Sequence, residues 1–213
     1  MAHRPGLDAG VIVRAAADLV DADGIEALAL GRLAERLGVR APSLYNHVAS
    51  LDGVRRGLAL LGARELSARL ARAAIGTTGE EGVVALAEAY RRFAKERPGL
   101  YAATLRAPDP DDHALQEVTA DLLGVVRAVL APYGLRGAEE THAIRAWRSL
   151  VHGFVSLEIT GGFGLPLDLD ESFRRIMRLF IAGLSELCGE GRGAELTRPA
   201  PSREEMIPWH ARS

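Results

Sequence analysis

Between its glycine and proline breaks this chain repeats apolar residues every three or four positions almost throughout. It lacks alternating β-branched runs bounded by turns. That pattern predicts helices and excludes a sheet, so the expected fold class is all-α. Asp8 can cap a first helix to about Asp23, with Ile12, Ala16 and Leu19 inward and Gly24 as a left-handed C-terminal residue. A short helix over Leu30 to Leu37 ends at Gly38, and a third covers about Ala41 to Val48, with Pro42 in its first turn. Ser50 caps a fourth helix, Leu51 to about Ile75. Glu80 and Glu81 open a fifth, which Pro98 and Gly99 stop, and a short piece spans Leu100 to Arg106. The run from Pro108 to Asp112 offers a cap, a first-turn proline and carboxylates for a helix to about Tyr133. Long helices follow over Ala138 to Thr160 and over Asp170 to Cys188.

The chain has 213 residues, 48% of them hydrophobic, enough to bury a sizeable core without staples. The pattern divides it into a three-helix unit over 1–55, a larger helical unit over 56–189, and a Gly-, Pro-, Arg- and Glu-rich tail over 190–213 that reads as poorly ordered. A single Cys excludes an internal disulfide framework and a multi-cysteine zinc site, and the simplest compartment is the reduced cytoplasm. No apolar run reaches membrane-spanning length, and Met1 to Gly6 does not read as a signal peptide. Formal net charge is -2, which rules out a uniformly basic nucleic-acid coat. Residues 1–60 carry seven Arg against seven Asp or Glu, so charge alone does not mark that unit as DNA-binding.

The residues from Leu30 to Val48 carry the most information. Ala34 is small where a second helix can cross, Gly38 supplies a positive φ, and Val39, Leu44 and Val48 make an apolar stripe. These are the requirements of a helix-turn-helix. Ser43, Asn46 and His47 fall on the opposite face, where short polar side chains reach base edges in a major groove; Asn matches adenine bidentately. His47 has no metal-ligand partner four residues away.

Leu37-Gly-Val39, Pro42-Ser-Leu-Tyr45 and His47-Val48 stand where the TetR (tetracycline-repressor-like) family of transcriptional regulators carries its motif, and residues 7–60 resemble that family. Trp147, His152-Gly153, Phe154 to Glu158 and Gly161 to Gly164 resemble one of its C-terminal regulatory domains. The resemblance implies a DNA-binding unit, a helical ligand-binding and dimerisation unit, and repression of a palindromic operator released by a small molecule. With it, Arg32, Arg40 and the Tyr45 hydroxyl become phosphate or base contacts beside Pro42; a solvated face for Arg32 with Arg36 and core packing for Tyr45 are the competing readings. The family's lysine at the turn into the fourth helix is replaced by Ala49-Ser-Leu-Asp52, and Arg55 or Arg56 would substitute for it.

The long helix over 138–160 is apolar on two sides and must bury both. Leu150, Gly153 and Leu157, with Phe173, Ile176, Phe180 and Leu184 of the last helix, are the expected homodimer interface; a large monomeric core is the alternative. Tyr90, Phe93, Tyr101, Trp147, Val151 and His152 are the candidate wall of a pocket for an apolar or aromatic ligand, against the alternative of a filled core. His113, His142 and Glu158 are further groups that could orient it. Lys95 reads as solvated and Cys188 as packing. The sequence has no nucleophile elbow, Walker loop or His-Glu-x-x-His, so no catalytic, metal or cofactor residue is expected. A helical ligand-binding or protein-docking module that has lost operator binding remains the rival of the regulator.

Overall fold

The computed structural model describes residues 7–190, with side chains through Leu187. The expected tail over 190–213 lies outside the described residues except for Glu190, and so do Met1 to Gly6 and the Cys188 side chain. The helices are α1 (Ala9–Asp23), α2 (Leu30–Leu37), α3 (Ala41–Leu44), α4 (Leu51–Ala73), α5 (Gly79–Glu96), α6 (Pro98–Ala103), α7 (His113–Leu130), α8 (Ala138–Ile159) and α9 (Leu169–Glu190). No strand occurs among the described residues, so the fold is all-α.

Local chemistry sets the ends. The Asp8 carboxylate accepts from Val11 N–H at 2.7 Å, and Ser50 Oγ accepts from Gly53 N–H at 3.1 Å. Gly38 is left-handed (φ 66, ψ 33); its N–H donates to Glu35 and that of Val39 to Ala34, each at 3.0 Å, closing α2 as a Schellman turn. Gly24 has φ 84 but ψ 161, so it leads the chain out in extended geometry and not into the expected left-handed cap. The third helix stops at Leu44, short of the expected Val48. His47 and Val48 both donate to the Leu44 carbonyl, at 2.9 and 3.0 Å, so the last turn tightens before it can continue. The seventh helix starts after Pro108 and Pro110, because Asp112 is its cap and accepts from Leu115 N–H at 3.2 Å.

One core runs through both sequence units. Ile12, Ala16 and Val20 of α1 share one buried cluster with Leu33, Leu44 and Val54, and α4 carries burial onward through Leu58, Leu66 and Leu70 to α5, α6 and α7. The expected division at 55/56 thus falls within α4, one continuous helix. A second tie joins α1 to α6: Asp21 accepts from Arg97 Nε at 2.5 Å and from Leu100 N–H at 2.9 Å. Gly99 lets the two backbones approach there, since a Cβ on it would lie 2.1 Å from the Val20 carbonyl oxygen.

Candidate nucleic-acid interface and effector cavity

The α2–α3 pair presents the polar face expected of it. Leu44 and Val48 are buried, while Arg40, Pro42, Asn46 and His47 are exposed and Ser43 is half-buried. Tyr45 is 58% exposed, so its ring projects outward and does not pack into the core. The cations split into two groups. Arg36 and Arg40 are exposed and make no ion pair among the described residues. Arg32 Nη2 sits 2.7 Å from Asp23, and Arg55 Nη1 sits 3.0 Å from Asp52. Arg56 grips the buried Asp112 carboxylate with two bonds, at 2.5 and 2.7 Å. That hydrogen bond, with the guanidinium charge, holds the Asp112 carboxyl below the usual carboxylate range. Both substitutes for the missing lysine therefore already hold a carboxylate. These three partners were not read from sequence. Asp112 lies far along the chain from Arg56, and no spacing rule joins them.

The expected pocket wall is brought together, but as a filled cluster. Tyr90, Phe93, Tyr101, Trp147 and Val151 are all buried. Tyr90 stands edge-on to Tyr101 and Trp147, with ring centroids 5.6 and 6.0 Å apart, and Phe93 is edge-on to Tyr101 at 6.4 Å. The rings thus pack directly against one another. Tyr90 O–H donates to Tyr101 Oη at 3.3 Å, and Tyr101 Oη makes a short bond to His152 Nδ1. Burial, reinforced by Tyr90, pushes the Tyr101 phenol far above its ordinary range, so it stays a neutral donor. Trp147 Nε1 is buried with no hydrogen-bond partner among the described residues.

A cavity of about 570 Å³ opens elsewhere, between α4, α6, the 104–112 loop and the start of α7. Its lining combines small or apolar residues, Ala59, Ala63, Ala102, Ala103, Leu115 and Thr119, with the charged Glu26, Asp52, Arg55, Arg56, Arg106 and Asp109. Ala59 and Ala63 lie four apart on one face of α4, a signal that was present in the sequence but reads equally as close helix packing.

Glu158, a candidate ligand-orienting group, is instead spent on structure. Arg91 donates to it twice at 2.7 Å, and Lys95, expected to be solvated, donates at 2.6 Å. Arg91 also pairs with Asp170 at 2.8 Å and lies 4.9 Å from the centre of the Phe173 ring, so the network ties α5 to α8 and α9. The Arg91 hydrogen bond holds the Glu158 carboxyl below its ordinary value. Its contribution to stability is present above the unfolded glutamate pKa, about 4.3, and is lost as pH falls through the lower folded value. Glu158→Gln should therefore cost about 3 kcal/mol at pH 7 by leaving Arg91 short of its partner. In urea unfolding followed across pH, the gap to wild type should close below about pH 4. A gap that persists unchanged at pH 3 would rule the ion pair out as its source.

The last two helices each show an inner and an outer apolar row. Phe173, Phe180 and Leu184, expected at a dimer interface, are 1%, 9% and 2% exposed within the protomer. They face inward because α8 lies against them, with Phe154 and Phe173 ring centroids 5.0 Å apart. The outer row of α9 is Ile176, Leu179, Gly183 and Leu187; Leu179 is 74% and Leu187 53% exposed. On α8 the outer row is Ala146, Leu150, Gly153 and Leu157, while Ala143, which the sequence spacing groups with Ala146, Leu150 and Leu157, is buried. A Cβ on Gly153 or Gly183 would meet nothing within 4 Å.

A polar-faced helix-turn-helix fused to a larger helical body defines a helix-turn-helix regulator. The sequence comparisons make the class specific. Residues 83–180 match the tetracyclin repressor-like C-terminal domain family. An uncharacterized HTH-type transcriptional regulator of Mycobacterium tuberculosis is 35% identical over 181 residues, 84% of this chain and 83% of the relative. Another, YobS of Bacillus subtilis, is 36% identical over 186 residues, covering 86% and 96%. The chain belongs to the TetR family of transcriptional regulators. Among solved structures, a TetR variant of Acinetobacter baumannii AYE in complex with minocycline shares the fold with a TM-score of 0.65 at 21% identity, over 85% of this chain and 98% of that one.

Proposed function

We propose that this regulator is a homodimeric, cytoplasmic repressor that reads a palindromic operator with α3 and leaves it when a small molecule binds. The observation that carries the reading is the exposed Asn46 and His47, with half-buried Ser43, on a turn whose Leu44 and Val48 are buried: the polar face is free because the apolar one is spent on packing. Residues 1–55 would read DNA, and 56–189 would bind ligand and dimerise. Arg40 would meet phosphate, Arg32 and Arg55 would reach it only by leaving the carboxylates of Asp23 and Asp52, and Pro42 and Tyr45 would border the groove. Two reading helices must stand about 34–36 Å apart to enter successive major grooves, so a ligand that favours another separation lowers operator affinity by linkage.

The cavity beside α4 is the better ligand site than the filled aromatic cluster. Its small and apolar lining residues suit an apolar or aromatic body, and its charged ones suit a polar end. The minocycline complex of the TetR variant supports ligand binding by this fold. The outer rows of α8 and α9 would form the dimer seam. The relatives are named as transcriptional regulators, so neither a docking module without DNA nor an enzyme is favoured.

Binding to the DNA upstream of its own gene tests the reading. Asn46→Ala should weaken the cognate site by about 1–3 kcal/mol and relax base choice at one position per half-site. Arg40→Ala should weaken all sequences alike and flatten the salt slope by about one unit per subunit. Absence of DNA binding at moderate salt would overturn the repressor reading.

A further inference from the structure

We propose that Asp23 and Asp52 act as a charge brake on DNA binding: by holding Arg32 and Arg55 they limit the phosphate-driven affinity of the reading unit, so that its grip depends on base contacts. The inference rests on the regulator reading and goes beyond it. Three observations carry it. Arg32 pairs with Asp23 at 2.7 Å, and Arg55 with Asp52 at 3.0 Å. Both pairs are well exposed, with Asp52 at 86%, so their weak mutual attraction adds little to stability. Residues 1–60 carry seven Arg and seven acidic side chains, so no surplus of positive charge compensates.

The positions make the pairs relevant to DNA. In a helix-turn-helix the first helix, here α2 with Arg32, crosses the backbone beside the groove that the second helix enters. Arg55 lies in the first turns of α4, which follows the reading turn directly. A free arginine that docks on phosphate displaces a condensed cation into solution, and this release drives salt-dependent binding. An arginine taken from a carboxylate behaves differently. The abandoned Asp attracts a cation back, so net release is close to zero, and its charge repels the nearby phosphate. Arg36 and Arg40, which have no such partners among the described residues, are left to supply the phosphate grip.

The test uses the full-length dimer and a short duplex of scrambled sequence, with binding followed by fluorescence anisotropy over a salt series. Asp23→Asn and Asp52→Asn should each tighten binding several-fold at low salt and steepen the salt slope by about one unit per subunit. Asp23→Asn combined with Arg32→Ala should return to the wild-type level, since the gain runs through Arg32. Glu80→Gln, the same charge change at the start of α5, should leave the slope unmoved. Melting curves check that each variant is folded. Folded Asp variants with wild-type affinity and slope would overturn the brake while wild-type binding keeps the regulator reading intact. An equal gain from Glu80→Gln would reduce the effect to net charge and overturn it too. If neither wild type nor variants bind DNA, the regulator reading fails and the brake fails with it.

Discussion

Gly99→Ala should destabilise the protein by about 4 kcal/mol, among the largest effects any single methyl could have here. A Cβ at this position would lie 2.1 Å from the Val20 carbonyl oxygen, 2.2 Å from its carbon and 2.6 Å from Asp21 N. All three are backbone atoms of the last turn of α1, which cannot rotate away as a side chain can. Relief requires α6 to move off α1, and that motion pulls on the bond from Leu100 N–H to Asp21 and on the Arg97–Asp21 pair. Gly57 is the control: the nearest atoms to its Cβ belong to the Val13 side chain, with Cγ2 at 2.5 Å, and a side chain, even a stiff valine, yields by a smaller shift than a backbone does. Gly57→Ala should cost about 1 kcal/mol, partly offset by the helix propensity of alanine. For a chain this long each kcal/mol moves the melting temperature by about 2–4 °C, so Gly99→Ala should melt about 10 °C lower. A melting temperature within two or three degrees of wild type would mean that α1 and α6 do not approach as closely as described.

Gly99 also shows what a sequence conceals. Beside Pro98 it reads as a helix stop. In the fold the proline begins α6 and the glycine is where two distant backbones touch. The signals that were legible were local ones: caps at Asp8 and Ser50, the Gly38 turn, and the spacing that buries Leu44 while leaving Asn46 and His47 outside. Those depend on neighbours in the chain, and α2 matched the residues expected of it. Partnerships across the fold were not legible. Whether Glu158 meets a ligand or Arg91, or Arg56 meets phosphate or Asp112, is decided by which helices lie side by side. The aromatic residues were correctly grouped, yet grouping cannot separate a cavity from a filled core, because edge-to-face rings and a ligand wall use the same residues. The apolar part of the cavity wall is mostly alanine, whose small side chains do not stand out in a chain rich in alanine.

If the outer rows of α8 and α9 form the proposed dimer seam, Leu179→Glu should yield monomers while leaving each protomer as stable as before. Leu179 is 74% exposed, so a carboxylate there costs an isolated protomer little. In a two-fold seam of α8 and α9 it would be buried twice, once from each subunit, and the arginine one turn back, Arg175, is already held by Glu171; a buried charge left uncompensated costs about 3–5 kcal/mol. Sedimentation velocity should therefore show a monomer. Operator affinity should collapse, because one reading unit alone gains nothing from the second half-site. Phe180→Glu should behave differently although it lies one residue away. Phe180 is 9% exposed and packed inward, so its replacement should unfold the protomer before any question of assembly arises. Gly183→Ala separates the two effects further. A Cβ at Gly183 meets nothing within 4 Å in the protomer, so alanine should stabilise α9 by up to about 1 kcal/mol. Across a close helix crossing the same methyl should push the subunits apart and weaken the dimer. A protomer that melts higher while its dimer dissociates more readily is the expected signature. If Leu179→Glu stays fully dimeric, the outer row of α9 is not the seam, and subunit contact must be sought elsewhere on the surface.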